Sequence, residues 1–361
     1  MKEHGKKFFN AAIELLKRNS VPGFGDMKAF CNIHKKQCNV FEDRLQSEHD
    51  PTLIRMLVAG VNCYDWSSRG TQVGWLGDSC LSYLELVREV LLFLYDLVIF
   101  ECVRDFDEDG LQPLTSHYDV KSLVFSPILL GLPCSRTRKY MLMVRRESFM
   151  WLPEITGIGH QEAFEALFAR SMHVYGHELF RCPSEMIAEM RTRMAMARGL
   201  PAKKPTGKDW SFFQVLPPGI RANIQLQEEA MRDNKEGLSA KHGVLITATQ
   251  RGKFSSTMPV CPAILRQTVI WSTGLQRPGH HLEFFEVMGY RMFADTTSSE
   301  TAGSNIDPAS NEDDSLAQAI KKLDWKDAGS LVGNGVNVAA MACAQLFLMA
   351  CSQRMPAVPP A

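Results

Sequence analysis

The sequence predicts an α/β fold with a doubly wound, parallel sheet, and two observations support this class. Apolar, strand-like segments alternate with an amphipathic helix between residues 53 and 125, which is typical of βαβ units. Reactive or charged side chains stand at the ends of several of these segments. In open α/β sheets, ligands bind at one end of the strands, so we expect a functional site there.

The elements of this sheet follow from the apolar pattern. Residues 81–94 carry apolar side chains three and four residues apart, which predicts a helix. Between the first strand and this helix, residues 67–79 are polar and glycine-bearing, which predicts a mobile loop. The predicted strands lie at residues 53–60, 95–100, 118–125 and 139–144.

Three kinds of chemically useful side chain accompany these strands. Cys63 follows the first strand, Glu101 ends the second, and Arg136 and Arg138 lead into the last. A cysteine is a competent nucleophile near neutral pH because part of it is thiolate, and nearby cations increase that part. A carboxyl group in a poorly hydrated pocket can act as an acid, and arginine offers a fixed fork of donors.

Five segments, in this order, resemble the motifs of the cytosine-C5 DNA methyltransferase family. The run around Cys63 resembles its Pro-Cys-Gln-x-Phe-Ser nucleophile motif, and Phe-Glu-Cys-Val resembles its Glu-Asn-Val motif. Leu-Pro-Cys-Ser-Arg-Thr-Arg is similar to its Val-Pro-Gln-x-Arg-x-Arg motif. The remaining two segments resemble its Arg-x-Leu-Thr-x-x-Glu…Gln-Gly-Phe and Gly-Asn-Ala-Val motifs. In chain order, the five segments are residues 61–67, 100–103, 132–138, 277–290 and 331–336.

The resemblance implies a Rossmann-like methyltransferase fold with a smaller, irregular recognition region. It implies methyl transfer from S-adenosyl-L-methionine to C5 of a flipped cytosine in DNA. Cys63 would form a covalent adduct at C6, Glu101 would meet cytosine N3 and N4, and Arg136 and Arg138 would anchor the base or the backbone. The same resemblance suggests cofactor contacts at Asp43, Leu84, Asn334 and Val336.

The sequence also departs from the family pattern. No strand followed by a glycine-rich cofactor loop precedes Cys63, and residues 1–20 read instead as an amphipathic helix. Asn62, Cys102 and Cys134 stand where the family has proline, asparagine and glutamine. Two alternatives therefore remain: a catalytically impaired homologue that binds nucleic acid, or an RNA cytosine-C5 methyltransferase.

Composition is that of an ordinary globular protein. The 361 residues are 45% hydrophobic and 22% charged, with a formal net charge of zero. Residues 136–221 nevertheless hold 14 Lys and Arg against 8 Asp and Glu, an excess that suits phosphate contacts. The ten cysteines form no Cys-x-x-Cys pair, which favours reduced thiols in the nucleus or cytoplasm. We expect no metal site and no membrane segment, and the oligomeric state stays open.

We expect three regions along the chain. Residues 1–145 would form the catalytic domain, with its N-terminal part truncated or rebuilt, and residues 146–270 the target-recognition region. Residues 271–361 would return to the catalytic domain and end in a helix. Within them, residues 296–315 are rich in Ser, Thr, Asn, Asp and Glu, which predicts a disordered insertion.

Overall fold

The structure is a computed structural model that describes residues 7, 28–31, 36–39, 53–68, 70–233, 244–249, 257–258, 260–265, 268–293 and 318–356. Three predictions lie outside these residues: the helix at residues 1–20 (apart from Lys7), the contact at Asp43 and the insertion at residues 296–315.

Strands and helices alternate irregularly along the described residues. The strands are β1 (Lys28–Cys31), β2 (Lys36–Asn39), β3 (Met56–Gly60), β4 (Leu97–Val103), β5 (Tyr118–Phe125), β6 (Arg138–Arg145), β7 (Phe149–Trp151), β8 (Leu245–Thr247), β9 (Thr257–Met258), β10 (Ile270–Ser272), β11 (Arg277–Pro278) and β12 (Ser352–Arg354). The helices are α1 (Ser79–Phe93), α2 (Pro153–Ile158), α3 (His160–Phe168), α4 (Ser184–Ala197), α5 (Phe212–Val215), α6 (Pro218–Asp233), α7 (His281–Val287), α8 (Trp325–Asn334) and α9 (Val338–Ala350).

The backbone divides into two compact units. The first, unit 1, contains residues 1–125, 137–168 and 342–361, and the second, unit 2, contains residues 126–136 and 169–341. This grouping reflects packing of the backbone, and the functional boundaries at residues 145 and 270 stay predictions.

Unit 1 is built around a four-stranded mixed sheet with the strand order β3-β4-β6-β5. β3 and β4 are parallel and are connected through α1, as the sequence predicts for a βαβ unit. β6 is antiparallel to both of its neighbours. The α/β class is therefore confirmed, whereas the expected parallel arrangement holds for β3 and β4 and is interrupted by β6.

The register of this sheet brings the predicted site residues to one edge. Gly60, the last residue of β3, lies opposite Glu101 of β4. Val103, at the end of β4, lies opposite Arg138, which begins β6. Because β4 is buried along six of its seven residues, its position is fixed by packing on both faces.

Aromatic side chains anchor part of the segment after β3, and the mobility of residues 67–79 stays a prediction. Trp75 is buried, and its indole nitrogen donates to Asp107 Oδ2 at 3.1 Å. Its ring meets that of Trp66 edge to face, with centroids 4.8 Å apart, an arrangement that aromatic pairs favour. Tyr83 and Phe106 complete the cluster.

Unit 2 contains a four-stranded antiparallel sheet with the order β11-β10-β8-β9. Two hydrophobic clusters flank it. One contains Phe284 and Phe285 of α7, and the other contains Trp271 of β10 and Phe212 of α5.

The C-terminal helix α9 is predicted by the sequence and is present. In unit 1, Phe347 on this helix contacts the rings of Trp151 and Phe164. Among the described residues, one stretch, Lys326–Ala350, is long and apolar enough to cross a membrane by length and composition alone. It consists of two helices separated by residues 335–337, and Phe347 and Leu348 are fully buried in the protein; a core helix gives the same pattern.

Candidate active site

The candidate site in unit 1 consists of Cys63, Glu101, Cys102 and Arg138. Cys63 lies three residues beyond the end of β3, whereas Glu101 and Cys102 lie near the C-terminal end of β4. Arg138 begins β6, which pairs with β4. Two parallel strands and one antiparallel strand thus deliver a thiol, a carboxylate and a guanidinium to the same edge of the sheet.

Local hydrogen bonds shape the backbone at Cys63. Asn62 Oδ1 accepts from the Tyr64 amide at 3.1 Å, and the Cys63 carbonyl accepts from the amides of Trp66 and Ser67 at 3.1 and 3.0 Å. Asn62 therefore forms a turn with its own following residues, a role in which asparagine is favoured. Asn62, which stands where the resembled nucleophile motif has proline, therefore stabilises the backbone of this turn.

Asp65 holds the rest of this segment. Its buried carboxylate accepts from the Thr71 hydroxyl and, at 2.8 Å, from the backbone amide of Ser79 at the start of α1. A Cβ atom at Gly77 would lie 2.0 Å from Asp65 Cγ, so only glycine leaves room there. The turn after Cys63 is thereby tied to the N-terminal end of α1.

Glu101 and Arg138 form a nearly buried ion pair. Glu101 is 7% exposed, and Arg138 Nε lies 3.0 Å from Glu101 Oε1. That oxygen nevertheless accepts no well-aligned hydrogen bond from the described residues, because the Arg138 N–H is not directed at it. A buried acceptor in this state is costly.

The thiol of Cys63 is poised to ionise. Its pKa is lowered to about 7, chiefly because the Cys102 thiol donates a hydrogen bond to it, and in addition because Arg138 and the backbone N–H of Val103 stabilise negative charge on it. Burial and Glu101 act in the opposite direction. Burial raises the pKa of Cys102 far above its usual range, so Cys102 stays protonated.

Arg136 has a different environment from Arg138. In unit 2, its guanidinium donates to the carbonyls of Ile264 at 3.3 Å and Gly335 at 2.9 Å, and the residue is 4% exposed. In this position it fastens the segment between α8 and α9. Its predicted role as an anchor for the base or the backbone stays a prediction.

The residues predicted to contact the cofactor have different local surroundings. Leu84 on α1 is buried in the hydrophobic core of unit 1. In unit 2, Asn334 is the exposed last residue of α8, and Val336 follows in the segment before α9. Asp43 lies outside the described residues. Their roles as contacts of S-adenosyl-L-methionine stay predictions.

Asn337 caps the N-terminal end of helix α9. Asn337 Oδ1 accepts from the Ala340 amide at 2.9 Å, and its Nδ2 donates to the Val287 carbonyl at 3.4 Å. An asparagine immediately before a helical apolar run is the usual sequence pattern of such a cap. The pattern Asn-Val-Ala-Ala-Met could therefore have identified Asn337.

The segment at residues 277–290 has a structural role in unit 2. Both oxygens of the fully buried Glu283 accept from the Arg277 guanidinium, at 2.7 and 2.8 Å. They also accept from the amides of Cys182 and His280, each at 2.8 Å. This carboxylate therefore ties α7 to β11 and to the chain around residue 182.

No protein-family model and no curated protein matches the sequence. Similar solved structures include a methyltransferase of Entamoeba histolytica, EhMeth, at 14% identity and a TM-score of 0.39, covering 82% of this chain and 77% of that chain. They also include the Dnmt2 methyltransferase of S. pombe, at 13% identity and a TM-score of 0.39 over 83% and 82%. A DNMT2 mutant of Spodoptera frugiperda has 12% identity and a TM-score of 0.37 over 84% and 83%. At TM-scores below 0.5 the likeness is weak, and the proposals below depend on the residues of the chain itself.

Proposed function

We propose that this chain is a divergent cytosine-C5 methyltransferase that attacks a flipped cytosine in DNA through Cys63. The observation that supports it best is the convergence of a thiol with a lowered pKa, a buried carboxylate and an arginine at the ends of β3, β4 and β6. The family resemblance of the motifs places the same three residues in catalytic positions.

The chemistry of cytosine explains why this set is needed. C5 of cytosine is not nucleophilic enough to accept a methyl group directly. When the Cys63 thiolate bonds to C6, the electron pair of the C5–C6 double bond moves toward the ring carbonyl and N3, and C5 becomes enamine-like. A donor that satisfies N3 stabilises the charge that develops there.

Glu101 and Arg138 are suited to hold the pyrimidine edge. Glu101 Oε1, which receives no aligned hydrogen bond from the described residues, can accept from the exocyclic N4 amino group. Donation to N3 requires that Glu101 carries a proton. Arg138 offers further N–H groups to O2 or to a phosphate.

A basic segment in unit 2 supports contact with nucleic acid. Lys203 and Lys208 are exposed, and the Lys204 ammonium lies 5.6 Å from the centre of the Trp210 ring. Lysines can contact phosphates, and an aromatic ring beside them can stack on bases. We propose DNA as the partner, because the interval between the third and fourth family-like motifs, residues 146–270, is long enough for a target-recognition region. RNA is the alternative.

The methyl donor implied by the resemblance is S-adenosyl-L-methionine. Its binding can be tested directly. We expect isothermal titration calorimetry with S-adenosylhomocysteine to show micromolar affinity. A folded sample with no heat of binding would contradict methyltransferase activity of this chain.

Activity itself can be tested with a labelled methyl donor and equal amounts of duplex DNA and transfer RNA. We expect label in DNA with the unmodified chain and none with Cys63→Ala, while Cys80→Ala, a change at another cysteine of unit 1, retains activity. Retained turnover in Cys63→Ala would refute the nucleophile. Label in RNA alone would establish the RNA alternative.

A second candidate function is nucleic-acid binding without methyl transfer. It is favoured by the burial of Leu84, a predicted cofactor contact, in the hydrophobic core of unit 1, and by the sequence before Cys63, in which no strand followed by a glycine-rich cofactor loop is recognised. A gel shift with DNA, together with no binding of S-adenosylhomocysteine, would support this function over catalysis.

A further inference from the structure

Two cysteines of unit 2 stand directly opposite each other on adjacent segments of backbone. Cys134 and Cys261 form a parallel β-bridge. Two backbone hydrogen bonds build this bridge: the Cys261 amide donates to the Pro133 carbonyl, and the Ser135 amide donates to the Cys261 carbonyl, both at 2.8 Å. The bridge therefore holds the two cysteines side by side, although they are 127 positions apart in the sequence.

The geometry of such a bridge suits a disulfide bond. Neighbouring strands lie about 4.8 Å apart, and residues paired across them project from the same face. Disulfides join cysteines whose Cα atoms lie about 4.4–6.8 Å apart. Cys134 and Cys261 are both fully buried in one hydrophobic cluster of unit 2, and both are present as thiols. The pairing thus brings two thiols to the spacing that a disulfide requires.

Polar contacts beside the bridge hold the same two segments together. Arg136 Nη1 donates to the Ile264 carbonyl at 3.3 Å. The Ser126 hydroxyl donates to the Cys134 carbonyl at 3.2 Å and accepts from the Arg136 amide at 3.0 Å. These contacts fix the backbone on both sides of Cys134, so the two cysteines stay aligned.

We propose that Cys134 and Cys261 are an oxidisable pair that closes into a disulfide when the chain meets hydrogen peroxide, and that this disulfide locks residues 132–136 to residues 260–265. One sulfur attacks a peroxide oxygen, which breaks the O–O bond and yields a sulfenic acid and water. The second sulfur then attacks the sulfenic sulfur and releases a second water. Overall, the two thiols lose two electrons and two protons, and one hydrogen peroxide is reduced to two waters.

The surroundings make this pair a slow lock and not a fast sensor. Burial raises the pKa of Cys261 well above its usual range, and the nearby Cys134 acts in the same direction. Since the thiolate is the reactive form of cysteine, oxidation of the folded chain is slow. The same burial shields the closed disulfide from reductants, so the oxidised state persists once it has formed.

The test treats the full-length chain with hydrogen peroxide for increasing times, blocks the remaining thiols under denaturing conditions and digests without reduction. Trypsin releases Cys134 within residues 122–136 and Cys261 within residues 254–266, and each of these peptides holds one cysteine. Mass spectrometry identifies the linked pair, which is lighter than the two peptides together by two hydrogen atoms. The melting temperature is measured before and after oxidation.

Two variants accompany the unmodified chain. Cys261→Ser removes one thiol of the pair. Cys182→Ala is the matched control, because Cys182 is a buried cysteine of unit 2 whose sulfur lies 3.9 Å from the Met186 sulfur and outside the bridge.

We expect the linked pair to accumulate in the unmodified chain and equally in Cys182→Ala, and to be absent from Cys261→Ser. Oxidation should raise the melting temperature of the unmodified chain by at least about 5 °C, because a disulfide that closes a long loop restricts the unfolded chain. Cys261→Ser should show no such rise. Dithiothreitol should open the link rapidly in urea and slowly in the folded chain.

A folded chain in which the Cys134 and Cys261 peptides stay unlinked after oxidation would overturn the proposal, and so would links from either cysteine to other cysteines that form as fast. A linked chain that melts no higher than the thiol form would overturn the lock. If Cys261→Ser fails to fold, the unmodified chain with and without peroxide still decides. Neither readout requires nucleic acid or a methyl donor, so the outcome is independent of the proposed methyl transfer.

Discussion

Arg138 lies across the sheet from Val103, and its guanidinium reaches diagonally to the carboxylate of Glu101, with Nε 3.0 Å from Oε1. Glu101 and Val103 are two residues apart on β4 and so project from the same face of the sheet. The antiparallel strand β6 thereby supplies the cation for a carboxylate on β4. A wholly parallel sheet would bring a different strand end to this position.

This pairing leads to a prediction for Arg138→Ala. The change removes both the partner of Glu101 and one of the groups that lower the pKa of Cys63, so we expect methyl transfer to fall at least about a hundredfold, as for loss of a positioned catalytic group. Rates of methyl transfer at saturating DNA measure it. Arg104→Ala is the control, because Arg104 follows β4, is exposed and carries the same charge; equal losses in both variants would contradict a specific role.

Glu101→Gln should preserve the shape of the site and remove its acid. We expect a loss of about 10²- to 10⁴-fold in methyl transfer. Asp105→Asn, at an exposed carboxylate nearby, should leave the rate unchanged. A Glu101→Gln variant that is nearly as active as the unmodified chain would exclude Glu101 as the acid.

Asp65→Ala should loosen the turn that carries Cys63. The Ser79 amide and the Thr71 hydroxyl lose their acceptor, which for buried groups costs about 1–3 kcal/mol. Hydrogen exchange should become faster in residues 64–78, while Asp78→Ala, at an exposed side chain that makes no cap hydrogen bond, should not change it. Unchanged exchange in Asp65→Ala would show that the aromatic cluster alone holds the segment.

The buried pair of Arg277 and Glu283 should dominate the stability of unit 2. Glu283→Gln leaves a buried guanidinium without its counter-charge, and we expect a loss of about 3–5 kcal/mol in the free energy of unfolding. Urea unfolding measures it, with Glu185→Gln at an exposed site as the control. A loss below about 0.5 kcal/mol, the range of ordinary surface changes, would contradict this view.

Acid should destabilise the region around His280 and His281. Burial lowers the pKa of His280 to about 3 and that of His281 to about 4, and their rings lie 4.1 Å apart. The unfolded chain, with histidine pKa values near 6.5, therefore binds more protons than the folded chain below that pH. Stability is complete above about pH 6.5 and falls as the pH drops toward 4.

The size of this acid effect should be about 3 kcal/mol per histidine at pH 4. Urea midpoints between pH 7 and 4 measure it. His281→Asn should flatten the dependence, whereas His117→Asn, at a histidine of unit 1, should not. The same slope in His281→Asn as in the unmodified chain would refute a contribution from His281.

The sequence predicts the part of the fold in which each strand is defined by its own apolar run. β4, β5 and β6 and the helix α1 are recovered within a few residues. Arg138 precedes the apolar run of β6, and it reaches the edge that carries Glu101 because β6 is antiparallel to β4. The direction of β6 is not predictable in this way, because an apolar run carries no information on which neighbour it joins or in which sense.

The remaining differences arise from contacts between residues that are distant in the chain. Arg136 and Arg138 read as equivalent members of one motif, yet one binds carbonyls at residues 264 and 335 while the other binds Glu101. The effect of Cys102 on the pKa of Cys63 likewise joins residues that are 39 positions apart in the sequence. Spacing alone does not reveal such partners.

The division of the backbone has a consequence for dissecting the protein. The chain passes from one unit to the other after Phe125, Arg136, Phe168 and Met341, so neither unit corresponds to a single continuous stretch of gene. No single cut yields a fragment that contains one complete unit and nothing of the other. The two units must therefore be expressed together, because truncation cannot remove one and leave the other whole. The roles of their residues are best separated by point substitutions.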